Sequence, residues 1–114
     1  MPVASSFLPL KPNWFHILLT LVDGPHHGYG IMQEVAKRTE GKLKLWPATL
    51  YGTIRRLERA GLIIAADHQP ADDADDERRQ YYALTSFGRE VLRAEVQRLE
   101  KLVKLARTKE ALTR

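Results

Sequence analysis

The residues predict a mainly α fold with one small β-hairpin, closing on a long C-terminal helix. Two observations carry this. Between Trp46 and Thr85 a short basic segment with helical spacing runs straight into an apolar run, a polar loop and a second run starting Tyr81-Tyr82. From Ser86 a single amphipathic repeat continues almost to the last residue.

Taken in order, residues 1–10 are apolar and irregular, with Pro2 and Pro9, and read as a flexible N-terminal arm. Pro12 can open a first helix reaching Val22, with Trp14, Ile17, Leu18 and Leu21 on one face. Asp23-Gly24-Pro25 stops it. A second helix is expected over Tyr29 to Glu40, closing at Gly41, with Ile31, Val35 and Thr39 inward. Lys42-Leu43-Lys44-Leu45 alternates and reads as a brief strand. His26 and His27 read as capping or surface residues.

The third helix starts at Pro47, whose missing N–H has no partner at a first helical position, and ends at Gly61. Leu50, Ile54 and Leu57 recur at four and three and make its buried stripe. Thr49, Tyr51, Gly52, Thr53, Arg55, Arg56 and Arg59 fall to the other faces, a set suited to phosphates and base edges. An ordinary solvated amphipathic helix has the same spacing, so the helix alone does not decide. Leu62-Ile63-Ile64 and Tyr81-Tyr82-Ala83-Leu84 form the two hairpin strands, and Thr85 is placed to cap the last helix. Helices followed at once by a hairpin make a winged helix-turn-helix over residues 11–85.

In the last helix, residues 86–114, Leu92, Val96, Leu99, Val103 and Ala106 recur at four, three, four and three, a heptad seam. Val91, Leu102, Leu105 and Leu112 give a second stripe. One small domain cannot bury both, so one stripe is expected to meet its own domain and the other a second copy of the chain.

A chain of 114 residues is one domain on size grounds, with a modest core that oligomerisation would help. Its formal net charge of +4 hides a sharper division. Residues 1–66 hold eight basic and four acidic side chains, 67–77 six acidic and none basic, and 78–114 ten basic and four acidic. Outside one acidic loop the chain is distinctly positive, which is consistent with a polyanion partner without being diagnostic of one. The absence of cysteine excludes disulfides, thiolate nucleophiles and Cys-ligated zinc. It fits a cytoplasmic protein. No run is long enough to span a bilayer, and the start lacks the basic and apolar regions of a signal peptide. The acidic loop lacks the alternation and central glycine of a calcium loop. No nucleophile–base constellation or phosphate-binding glycine loop occurs. Neither enzyme activity nor a cofactor or metal is expected.

His27-Gly28-Tyr29-Gly30-Ile31, Thr49-Leu50-Tyr51, the run from Arg56 to Ile63, and the run from Arg78 to Gly88 together resemble the PadR family of bacterial transcriptional regulators. The motifs stand in the family's order and spacing across roughly three quarters of the chain. The short tail looks like the family's compact branch, with a single C-terminal dimerisation helix. The resemblance implies a homodimeric repressor on a pseudo-palindromic operator, answering to a small-molecule effector. It implies a phosphate contact near Tyr29; a tight turn with Tyr29 on the core is the alternative. Arg55, Arg56 and Arg59 are candidates for phosphate or guanine contacts, Thr49 and Thr53 for base edges, and Tyr51 for a phosphate. Arg78 and Arg79 would flank the minor groove or backbone. The chain departs from the family in the wing, where residues 71–77 are acidic instead of glycine-rich. The tip therefore turns from DNA, contributes little, or pairs with basic helix residues when DNA is absent.

Some compact relatives hold flat aromatic drugs between their long helices on aromatic side chains. With no aromatic after Phe87, this long helix suits an aliphatic or mixed-shape effector better than a planar dye. Trp14 could face that cleft, though core packing suits it better. A winged module that docks on another protein through its last helix is the competing reading. Binding that falls steeply with salt would favour DNA.

Overall fold

The computed structural model describes residues 3–67 and 80–113, with side chains up to residue 110. Its elements are α1 (Pro12–Leu21), β1 (His26–His27), α2 (Gly28–Arg38), α3 (Pro47–Arg59), β2 (Ile63–Ala66), β3 (Tyr81–Leu84) and α4 (Ser86–Thr113), after a 3₁₀ turn at Ala4–Phe7. Arg78, Arg79 and the acidic loop expected of the wing lie outside the described residues.

The helices form where the apolar spacing puts them. Ile17, Leu18 and Leu21 of α1, Ile31 and Val35 of α2, and Leu50, Ile54 and Leu57 of α3 are buried in one core. Arg38, in the last turn of α2, fastens that helix to α1. It donates to the Thr20 hydroxyl at 3.1 Å and to the His16 carbonyl at 3.3 Å. Burial, helped by the Arg38 charge, pushes the His16 imidazole below its ordinary pKa.

The strand expected at 42–45 does not form. Gly41 takes φ +77°, Thr39 Oγ1 accepts the Leu43 N–H at 3.0 Å, and Leu45 drops into the core. Local hydrogen bonding of a threonine stands where the alternation predicts a strand.

Helix α3 ends in a Schellman motif: the Leu62 N–H reaches the Leu57 carbonyl, the Gly61 N–H reaches Glu58, and Gly61 takes φ +80°. The chain then turns at once into the sheet, ordered β1-β3-β2 and antiparallel throughout. Ile63 pairs with Leu84 and Ala66 with Tyr81, as a hairpin demands. The two-residue β1 adds to the far edge of β3, pairing His27 with Tyr81.

Residues 4–10, expected to be loose, are packed. The Leu10 N–H donates to Glu95 Oε2 at 2.9 Å, and Leu10 itself is buried. Phe7 meets Phe87 edge-on, with ring centres 5.7 Å apart, and lies 6.5 Å from Trp14. Glu95 is a buried carboxylate of α4, also held by Arg98 Nε at 2.5 Å. The Arg98 hydrogen bond holds its carboxyl below the usual range, outweighing burial, and the Leu10 amide adds to it. A tie across 85 residues of chain leaves no local pattern, so the segment reads as an arm in the sequence.

Candidate nucleic-acid interface

Because Leu50, Ile54 and Leu57 pin one face of α3, its opposite face is committed to the surface. Thr49, Tyr51, Arg55, Arg56 and Arg59 are all exposed there. Arg55, Glu58 and Arg59 line a shallow depression near its C-terminal end. Tyr82 of β3 backs this helix. Its hydroxyl is pushed above the ordinary pKa by burial and by Glu58 and Tyr51, against a smaller opposite effect of Arg55.

Thr53 is not part of that face. It is 3 % exposed, and its hydroxyl donates to the Thr49 carbonyl at 2.8 Å. Positions 50, 53, 54 and 57 are one helical stripe, so the spacing that places the leucines also takes Thr53 inward. A base-edge contact by Thr53 is therefore corrected to a satisfied core hydroxyl.

The entry of α2 is built against the exposed face of α3. His27 is the N-cap, with Nδ1 accepting the Gly30 N–H at 2.9 Å. Its ring stacks on exposed Tyr29 and meets Tyr81 edge-on, with centres 5.1 Å apart. Gly28 is buried under the Tyr51 ring: a Cβ at position 28 would overlap the Tyr51 hydroxyl. That glycine brings a phenol of α3 and the N-terminus of α2 to one place, where N–H groups and a hydroxyl can serve one anion. Tyr29 therefore presents its ring at the surface and is not tucked into the core.

Helix α4 divides along its length. Leu92, expected in the seam between chains, is 5 % exposed and packs in its own core beside Val91. It lies within the first turns, where the helix is still embedded in the domain. Farther on, Val96, Leu99 and Val103 line an open groove of about 740 Å³ with Phe15 of α1, rimmed by Glu100, Lys104, Arg107 and Thr108. Residues 101–110 are exposed on every side, Ala106 among them and Val103 at 49 %. Phe15, not Trp14, puts an aromatic ring in this groove; Trp14 packs against Phe7.

The profile of the PadR-like family of transcriptional regulators matches residues 17–94, from α1 into α4. The chain belongs to that family. A relative, a transcriptional regulator of Mycobacterium tuberculosis, is 32 % identical over 89 residues, covering 78 % of this chain and 77 % of its own. An uncharacterised Lysinibacillus sphaericus protein is 36 % identical over 76 residues, 67 % of each chain. Among solved structures, a PadR family transcription regulator of Clostridium difficile superposes with a TM-score of 0.71 at 24 % identity, covering 86 % of this chain and 97 % of that one. Bacillus subtilis PadR, solved in complex with operator DNA, superposes with a TM-score of 0.62 at 19 % identity. That match covers 75 % of this chain and 47 % of the longer one. These likenesses show a PadR winged-helix fold here. Among the described residues no helix is long and apolar enough to cross a membrane.

Proposed function

We propose that this PadR-like regulator binds double-stranded DNA as a homodimer, in the cytoplasm, and represses transcription from a pseudo-palindromic operator. The observation that carries the reading is the exposed Thr49–Tyr51–Arg55–Arg56–Arg59 face of α3, seated on a buried stripe and coupled through Gly28 to the start of α2. Two such helices would enter successive major grooves. Arg55, Arg56 and Arg59 take phosphates or guanine edges, Thr49 a base edge, and Tyr51 and Tyr29 a phosphate, while Arg78 and Arg79 would flank the minor groove or the backbone. The second copy sits on the groove of Val96, Leu99 and Val103, continued by Ala106. An effector of aliphatic or mixed shape would act by binding better to a pair of long helices that misplaces the two reading helices.

Arg55→Ala and Arg56→Ala test the reading face directly. If the arginine holds a phosphate, its removal should weaken operator and scrambled DNA alike and lower the salt slope by about one. If it holds a base edge, its removal should relax discrimination at one position by about 1–3 kcal/mol. Affinities measured across a salt series distinguish the two, and wild-type values for both duplexes would remove that arginine from the interface.

Gly28→Ala should act at one remove. The new methyl meets the far end of the Tyr51 side chain, a residue 40 % exposed that can yield by rotating outward, so the domain should lose no more than about 1 kcal/mol. DNA affinity should nonetheless fall severalfold, equally for specific and random duplexes. A variant that melts lower yet binds normally would show that Tyr51 serves packing only.

A further inference from the structure

The residue at the tip of α3 has no structural reason to be what it is. Trp46 is the N-cap, a position where Ser, Thr, Asp or Asn would satisfy an orphan N–H, and its side chain makes no cap hydrogen bond. The indole is 67 % exposed, more than any other large apolar side chain exposed among the described residues. It makes no ring contact there, whereas the chain's other tryptophan packs against Phe7. The exposed side chain nevertheless has a rigid mount. Pro47 confines the preceding residue to extended backbone, and Trp46 has φ −69° and ψ 152°. Its carbonyl accepts the Leu50 N–H at 2.8 Å, and Leu45 and Leu50 on either side are buried. A large apolar ring held firmly in water at the start of a basic-faced helix breaks the local rules of capping and burial together, a pattern typical of functional positions.

We propose that Trp46 reads a thymine in the major groove, its ring against the C5 methyl and its indole N–H toward O4. This rests on the DNA-binding reading above and adds the base that the helix tip selects. The first residues of a recognition helix are the ones that meet base edges, and the exposed Ala48 and Thr49 continue the surface. Thymine is the base that presents a methyl together with an acceptor in that groove. Indole can only donate, so the amino group of cytosine in the same place would leave it unpaired. Guanine offers acceptors but no methyl. The arginines farther along α3 supply the attraction to phosphate that an uncharged tip lacks.

The test uses the full chain and duplexes that it selects from a random-sequence pool. Each thymine of the selected half-site is replaced in turn by deoxyuridine, which removes the methyl alone. At one position per half-site the wild-type protein should lose about fourfold in affinity, the equivalent of one buried methyl group. Trp46→Ala should bind more weakly and lose that penalty, with its salt dependence unchanged. Trp46→Ser supplies the missing cap, so it should melt a few degrees higher and be equally blind to the methyl. Selected sites without thymine, a wild-type protein indifferent to uracil, or a penalty that persists in Trp46→Ala would each overturn the assignment while leaving DNA binding intact. A Trp46→Ser protein that melts lower and keeps the penalty would make the indole a packing residue and overturn it too. If no duplex is selected and no salt-dependent binding is found, the DNA-binding reading fails first and takes this one with it.

Discussion

Leu99→Asp should yield a folded single chain of 13.0 kDa in sedimentation and reduce operator affinity by about a hundredfold or more. Leu99 lines the groove with Phe15, Val96 and Val103 and is only partly covered by its own chain. Within one chain the aspartate can therefore reach water, so helicity should be kept, while the melting temperature should fall by what dimerisation contributes. Between two chains it would be an unpaired carboxylate in an apolar interface, at a cost of several kcal/mol. A single chain has no second reading helix tethered to its own, and this accounts for the large fall on DNA. A protein that stays dimeric, or one that becomes monomeric and binds its operator undiminished, would contradict the proposed assembly.

Gly88→Ala should be the most damaging conservative change. Gly88 lies in the first turn of α4, packed against the end of α3. A Cβ there would overlap the Leu62 carbonyl and crowd Leu84 Cδ1. The obstacle is backbone held from several directions. The Leu62 oxygen accepts the Thr85 N–H at 3.1 Å, and the Leu62 N–H closes the Schellman turn. The Thr85 hydroxyl donates to the Gly61 carbonyl at 2.7 Å and accepts the Gly88 N–H at 2.8 Å. Relief requires moving α4 as a whole, and overpacking of this kind costs about 2–3 kcal/mol. The melting temperature should fall by about 10 °C or more. An unchanged melting temperature would mean that the joint is looser than its hydrogen bonds imply.

Much of this architecture is legible in the residues. Leu50, Ile54 and Leu57 announce the inner stripe of α3, and Pro47, Gly61 and Thr85 mark ends that the backbone then realises as a first-turn proline, a left-handed glycine and a capping hydroxyl. The exposed arginines follow from the same stripe. Thr53 was legible too, three residues after Leu50, but a hydroxyl invites assignment to a polar partner when a backbone carbonyl can take it. Leu92 was not, because a heptad records which side of a helix is apolar and not where along its length the helix leaves its own domain. Nor were β1 and the Leu10–Glu95 tie, since both are formed by residues far apart in the chain. Trp46 stood in plain view in the sequence; only its exposure separates a reader of bases from a core residue.

The joint around the Leu62 carbonyl has a mechanical meaning for a paired molecule. Only Ala60, Gly61 and Leu62 separate α3 from β2, and only Thr85 separates β3 from α4; Leu62 and Thr85 are bonded to each other. Little chain is left in which a rotation of α4 could dissipate before it reaches α3. Each protomer would then turn as one stiff crank, its axle along α4 and its tip at the start of α3. For such a crank, the pitch between operator half-sites is a gauge of the angle at which two long helices cross.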